Sequence, residues 1–176
     1  KSTLAGLFFR AGRTLLSDDC LILRPTPEAV RAVPTYPSLR LRADSADALF
    51  PGDTARAPLP SYSDKPRFSI PDVSRPAAGG RVAAVYFLGD ADAGRADVRI
   101  APIARATACI RLMEQCFQLD ILDRDAVKRL LGLAGEVVAR VPAFTLDYPR
   151  DFGRAAELVA GIERHFAGVA GDSSAA

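Results

Sequence analysis

An α/β fold, with a mixed β-sheet and helices gathered in the C-terminal half, is what this sequence predicts, and three observations predict it. Arg81-Val82-Ala83-Ala84-Val85-Tyr86-Phe87-Leu88 is a near-continuous apolar run of strand length, the pattern of a central strand covered on both faces. Residues 102–118 and 124–140 carry apolar side chains at helical spacing, as a helix with one buried face requires. Pro25, Pro27, Pro34, Pro37, Pro51, Pro58, Pro60 and Pro66 forbid long helices over the intervening early region, which is left to short strands and turns. The chain has 176 residues, enough for one domain with a real core. Its 49% hydrophobic and 25% charged residues are those of an ordinary soluble globular chain. A formal net charge of +2 gives no ground for a nucleic-acid or membrane-surface partner. No apolar run approaches the roughly 20 residues of a membrane-spanning helix, and no signal peptide is expected.

Taken in order, residues 1–12 read as a helix, with Leu4, Leu7, Phe8 and Ala11 on one face and Gly12 as its C-terminal cap. Residues 13–24 read as a strand pair or one bent strand, interrupted by Asp18 and Asp19 and ended by Pro25. Short strands follow near 29–33 and 38–42, then one or two helical turns over 43–50 and a loop, expected to be mobile, over 51–66. A short strand at Phe68-Ser69-Ile70 leaves that loop, with Lys65 and Arg67 beside it, either as solvated bases or as neutralisers of phosphoryl charge. The central strand 81–88 should turn at Gly89–Gly94 into a hairpin partner at 96–101. Pro102 should open the helix 102–118, whose inward stripe is Ile103, Ala106, Ile110, Met113 and Phe117. Asp123 should cap the helix 124–140, with Val127, Leu130, Leu131, Ala134 and Val138 inward. Phe144-Thr145-Leu146 reads as a strand, Tyr148-Pro149-Arg150-Asp151 as a turn, and 152–167 as the last helix, with His165 at its surface. Residues 168–176 read as a flexible tail.

Two stretches carry chemistry. Lys1-Ser2-Thr3, leading into Leu4-Ala5-Gly6-Leu7, matches the last positions of the pattern Gly-x-x-x-x-Gly-Lys-[Ser/Thr]. In such a loop, backbone N–H groups and a helix N-terminus receive phosphate oxygens, the lysine reaches the outer phosphates, and the hydroxyl completes a Mg²⁺ shell. The same residues also read as a charged start with a serine N-cap. The pair Asp18-Asp19 lies between apolar segments, where carboxylates are costly unless they bind something cationic or sit in a turn. One aspartate can hold Mg²⁺ while another accepts a hydroxyl proton; Ser17-Asp18-Asp19 is equally ordinary turn chemistry. Gly89-Asp90-Ala91-Asp92 lacks the later glutamate of a calcium loop. Cys109 and Cys116 stand about 10 Å apart along a helix, so these and Cys20 read as reduced thiols in a cytoplasmic protein.

The order Lys1-Ser2-Thr3, helix, Gly12, Leu15-Leu16-Ser17-Asp18-Asp19, strand resembles the HPr kinase/phosphorylase family and its serine-kinase relatives. Pro34-Thr35-Tyr36-Pro37-Ser38-Leu39-Arg40-Leu41 and Val141-Pro142 through Tyr148-Pro149-Arg150-Asp151 are similar to later segments of the same group. The similarity runs from Lys1 to about His165.

That resemblance implies an HPr-kinase/phosphoenolpyruvate-carboxykinase-like P-loop domain, with one catalytic domain over 1–167 that is incomplete at its N-terminus, inside the phosphate loop. It implies ATP and Mg²⁺ as cofactors and phosphorylation of a serine in a protein or peptide acceptor. Lys1, Ser2 and Thr3 would bind the nucleotide, Ser2 and Asp19 the metal, and Asp18, Asp19 and Arg150 would be catalytic. Arg150 would approach the active site or the partner; a salt bridge to Asp147 or Asp151 is its structural alternative. The family's upstream histidine, regulatory N-terminal domain and later glycine-rich signature are not matched, which favours monofunctional kinases over phosphorolysis. A homo-oligomer fits the family. Two other readings stay open: a peptide-binding module on the same scaffold, and a P-loop phosphotransferase with a nucleotide or sugar acceptor.

Overall fold

The computed structural model describes residues 1–35, 38–52, 56–57, 67–69, 79–89, 96–117 and 122–172. Over these the chain is mixed α/β, with three small three-stranded sheets and its longest helices in the C-terminal half. The expected single sheet is therefore divided. Its strands are two to five residues long, and Pro25 and Pro34, which cannot donate to a ladder, close two of them. The chain forms two compact units, one of Lys1–Ile22, Ala32–Gly80 and Asp151–Ala160, the other of Leu23–Arg31, Arg81–Arg150 and Gly161–Ala176.

In the first unit, helix α1 (Ser2–Arg10) buries Gly6 and Leu7. It ends as its glycine dictates. Gly12 adopts φ +78°, its N–H bonds to the Phe9 carbonyl, and that of Arg13 to the Phe8 carbonyl, both at 3.0 Å. This pair of bonds satisfies carbonyls that a helix end otherwise leaves open. Residues 13–20 are not a strand; regular pairing begins only at β1 (Leu21–Pro25). The acidic pair forms a bend, because Asp18 takes a bond from a neighbouring strand rather than continuing a ladder.

After β2 (Val30–Pro34), strand β3 (Ser38–Arg40) pairs antiparallel with β5 (Arg67–Ser69) in the register Leu39↔Phe68 and Arg40↔Arg67. Strand β4 (Arg56–Ala57) covers the other edge of β5. Helix α2 (Ala43–Leu49) fills the expected helical turns. Leu39, Leu41, Ala46 and Leu49 are almost wholly buried. A Cβ added at Gly6 would stand 2.9 Å from a Leu49 methyl and 3.5 Å from one of Leu39, so the absent side chain is what lets α1 approach this core. Most of the loops 51–66 and 71–78, and Lys65 with them, lie outside the described residues.

The run expected as one central strand is broken. Gly80–Arg81 forms β6, in a sheet of order β1-β2-β6, and Val85–Leu88 forms β7. The central strand of the remaining sheet is β9 (Ala143–Asp147), with parallel β7 on one side and antiparallel β8 (Arg99–Pro102) on the other. The expected hairpin between 81–88 and 96–101 is thereby replaced: both strands use β9 as partner. Pro102 ends β8 in register with Phe144 instead of opening a helix. Helix α3 (Arg105–Glu114) starts after an extended Ala104, and its inward residues are Ala108, Cys109 and Leu112. Ile110 and Phe117, expected inward, are 61% and 82% exposed.

Helix α4 (Arg124–Arg140) begins as expected, with Asp123 accepting from the N–H groups of Asp125 and Ala126. It buries Ala134, Val137 and Val138, whereas Leu131 is exposed. Val137 and Val141 pack with Val30, and Val138 with Phe87, Ala108 and Ala143. After a 3₁₀ turn (Phe152–Arg154), α5 runs Ala155–Asp172, five residues beyond the expected helix end at 167. Half-burial of Val169 and Ala170 supports that extra turn. His165 is half-buried rather than a surface residue, with Nδ1 2.9 Å from the Tyr86 hydroxyl and its ring edge-on to Phe144. Among the described residues no helix is long and apolar enough to cross a membrane.

Candidate functional site

The first unit brings the expected nucleotide and metal residues onto two short segments. Lys1 is the N-cap of α1, and its carbonyl accepts from Ala5 N–H at 3.1 Å. Ser2 is the first helical residue rather than the cap, and the Lys1 side chain makes no capping hydrogen bond. The hydroxyl of Thr3 shares a 3.1 Å hydrogen bond with that of Ser45, whose side chain sits among buried residues of α2. Further along, Arg10 donates to the Ala48 carbonyl at 3.1 Å, and Phe9 meets Phe50 with ring centroids 6.3 Å apart. Thr3 thus fastens the first turn of α1 to α2, and Phe9 and Arg10 fasten its last turn.

The acidic bend is organised from one residue. The Arg40 N–H donates to Asp18 Oδ2 at 2.9 Å. The guanidinium of the same Arg40 lies 3.8 Å from Asp19 Oδ2. Alternation along β3 explains why Arg40 is available for this. Leu39 and Leu41 are fully buried, so the residue between them faces the other way. The bend is held a second time where the Thr35 hydroxyl donates to the Cys20 carbonyl at 2.7 Å.

Asp18 Oδ1 is the notable atom. It is shielded from solvent and has no hydrogen-bond partner, and it is the one such side-chain oxygen or nitrogen among the described residues. A buried carboxylate oxygen without a partner carries a desolvation cost of about 1–3 kcal/mol or more, so proteins keep few of them. Asp19 is exposed, and its ion pair with Arg40 is longer than a hydrogen bond. Among the described residues no three His, Cys, Asp or Glu side chains gather as a metal cluster. A phosphate-loop Mg²⁺ does not need one, because nucleotide and water oxygens complete its shell. The donors present, a serine hydroxyl at a helix start, the exposed Asp19 carboxylate and the buried, unpartnered oxygen of Asp18, are hard oxygen ligands of the kind Mg²⁺ takes.

Arg150 belongs to the second unit. Its guanidinium donates to the Tyr148 hydroxyl and, at 3.3 Å, to the Gly89 carbonyl, and stacks on the Tyr148 ring 4.1 Å from its centroid. Burial pushes the Tyr148 hydroxyl up from its ordinary value, and the adjacent arginine partly offsets this. All three cysteines are free thiols.

Arg40 is the residue of the acidic bend that reasoning from motifs passes over. Its signal lay in the alternation Leu39-Arg40-Leu41, a cation between two core residues on a strand. No family model, curated protein or solved structure matches the chain.

Proposed function

We propose that this chain belongs to an ATP-dependent serine kinase of protein or peptide acceptors, on a P-loop domain resembling the HPr kinases. The observation that carries the reading is the Asp18-Asp19 bend downstream of α1, where one carboxylate oxygen is buried and unpartnered while its twin is tied to a backbone amide. Bound Mg·ATP supplies the γ-phosphoryl group and the cation that neutralises it. Lys1 would meet the outer phosphates, with Thr3 bracing the helix start behind it. Ser2 and Asp19 would hold the cation, since Asp19 is exposed and its present partner is long and displaceable.

Asp18 is then the base. Its Oδ2 is committed to Arg40, so Oδ1 takes the serine hydroxyl proton as the hydroxyl oxygen attacks the γ-phosphorus and ADP departs. Because Oδ1 is closed to solvent, the bend must turn it outward for the acceptor to reach it. Arg150, whose guanidinium donates to Tyr148 and Gly89, is assigned no step in this scheme.

The test is transfer of label from γ-labelled ATP to serine peptides by the full-length gene product. D18N should lower transfer by about 10²-fold or more, and D19N should raise the Mg²⁺ requirement. Transfer that survives D18N within a few-fold overturns the reading. Label passing to a nucleotide or sugar but never to serine overturns the acceptor class.

A further inference from the structure

We propose that Arg40 is a built-in countercation that competes with the divalent cation for Asp19. The inference rests on the reading of Asp19 as a cation ligand and adds a regulatory step to that site. Three features of the geometry point to it. The guanidinium stands 3.8 Å from Asp19 Oδ2, beyond the 2.7–3.2 Å range of a hydrogen bond, so the contact is ionic and separates without breaking a directed bond. The Asp19 side chain is 73% exposed, which leaves its carboxylate free to turn from the guanidinium, while that of Arg40 is 34% exposed. The Arg40 backbone, by contrast, is fixed: it pairs with Arg67 in the sheet, and its neighbours Leu39 and Leu41 are wholly buried.

Backbone and side chain of Arg40 therefore do separate work. The N–H holds Asp18 whether or not the guanidinium is engaged. The guanidinium balances Asp19 while the cation is away and must release it when the cation arrives. The site then rests charge-compensated, and the bend is pre-shaped for the metal at a modest cost in affinity. Substituting Arg40 removes the competitor and leaves the amide that orients Asp18.

The experiment is a titration of the full chain with Mn²⁺, a paramagnetic probe of Mg²⁺ sites, followed by water-proton relaxation in wild type, R40M, R40K and D19N. An ion pair this exposed is worth up to about a five-fold change, so R40M should bind Mn²⁺ about 2- to 5-fold more tightly, and R40K should fall nearer to wild type. Amide exchange at residue 40 should stay protected in R40M, which shows that the bend is intact. Unchanged or weaker Mn²⁺ binding in R40M, with D19N losing the ion, overturns the competition alone. Equal binding by wild type and D19N, or none by either, overturns the cation role of Asp19 and the competition with it.

Discussion

The unpartnered oxygen of Asp18 separates two substitutions that chemistry would otherwise treat alike. Asp18→Ala removes the acceptor of the Arg40 N–H, a 2.9 Å bond. Hydrogen bonds to charged groups contribute about 1.5–3 kcal/mol, and the Arg40 N–H is left without its acceptor; together these outweigh the relief from losing the unpartnered oxygen, so a net loss near 2 kcal/mol is expected. That is roughly thirty-fold in the folded-to-unfolded ratio, or about 4–8 °C in Tm for a chain of this size. Asp18→Asn keeps an oxygen facing the Arg40 N–H. It weakens that bond by about 1 kcal/mol, because the acceptor becomes neutral. It also replaces a buried, unpartnered carboxylate oxygen with a neutral amide, which returns a similar amount of desolvation. The two effects cancel to within about 1 kcal/mol. Urea unfolding of the two variants measures the difference, and hydrogen exchange at the Arg40 amide locates it: protection is lost in D18A and kept in D18N. If D18N is destabilised as much as D18A, Oδ1 has a partner of its own, and the argument that it is held in reserve for chemistry collapses.

Two further outcomes test the scaffold. Leu146 is 1% exposed, with Leu88 and Ile100 as its register partners on the flanking strands; Leu146→Ala should cost about 2–5 kcal/mol by denaturant unfolding, and a loss below about 1 kcal/mol would mean that β9 is not the centre of its unit. The backbone amide of Ala126, above all, holds the Asp123 carboxyl below the ordinary carboxylate range. A lowered folded value means that this contribution is fully present above the unfolded carboxylate range and is lost as pH falls through the folded one. An acid titration of D123N, set against wild type, should therefore lack that part of the low-pH destabilisation; identical acid limbs refute the capping account.

What the sequence made legible was local. Gly12 and Asp123 act through bonds to residues two to five positions away, and both ended or began helices where their chemistry requires. The errors were those of partner choice. The apolar run at 81–88 reads as a central strand, yet apolar content says only that a strand is covered, not by what, and β9 took the middle position. The stripe Ile103, Ala106, Ile110, Met113 and Phe117 follows helical spacing but omits Ala108, the residue of α3 that is buried. Ala108 packs with Phe87, Val138 and Ala143, and this tertiary contact decides which face of α3 turns inward. At the site, the paired aspartates stood out in the sequence, whereas Arg40 acts through a strand register that brings together residues 22 positions apart.

The arrangement of β7, β8 and β9 also sets the order in which the second unit can form. Neither β7 nor β8 is joined to the other; each is joined to β9. The parallel pairing closes a stretch of roughly sixty residues, a costly loop to close before its contacts compensate. A ribosome making this chain exposes Val85–Leu88 first and Arg99–Pro102 next, and both wait as unpaired edges through the synthesis of α3 and α4. Helices can form while they wait, but the sheet cannot. The moment at which Ala143–Asp147 emerges lets the sheet close, and until then the nascent chain carries two unpaired strands open to association with its neighbours.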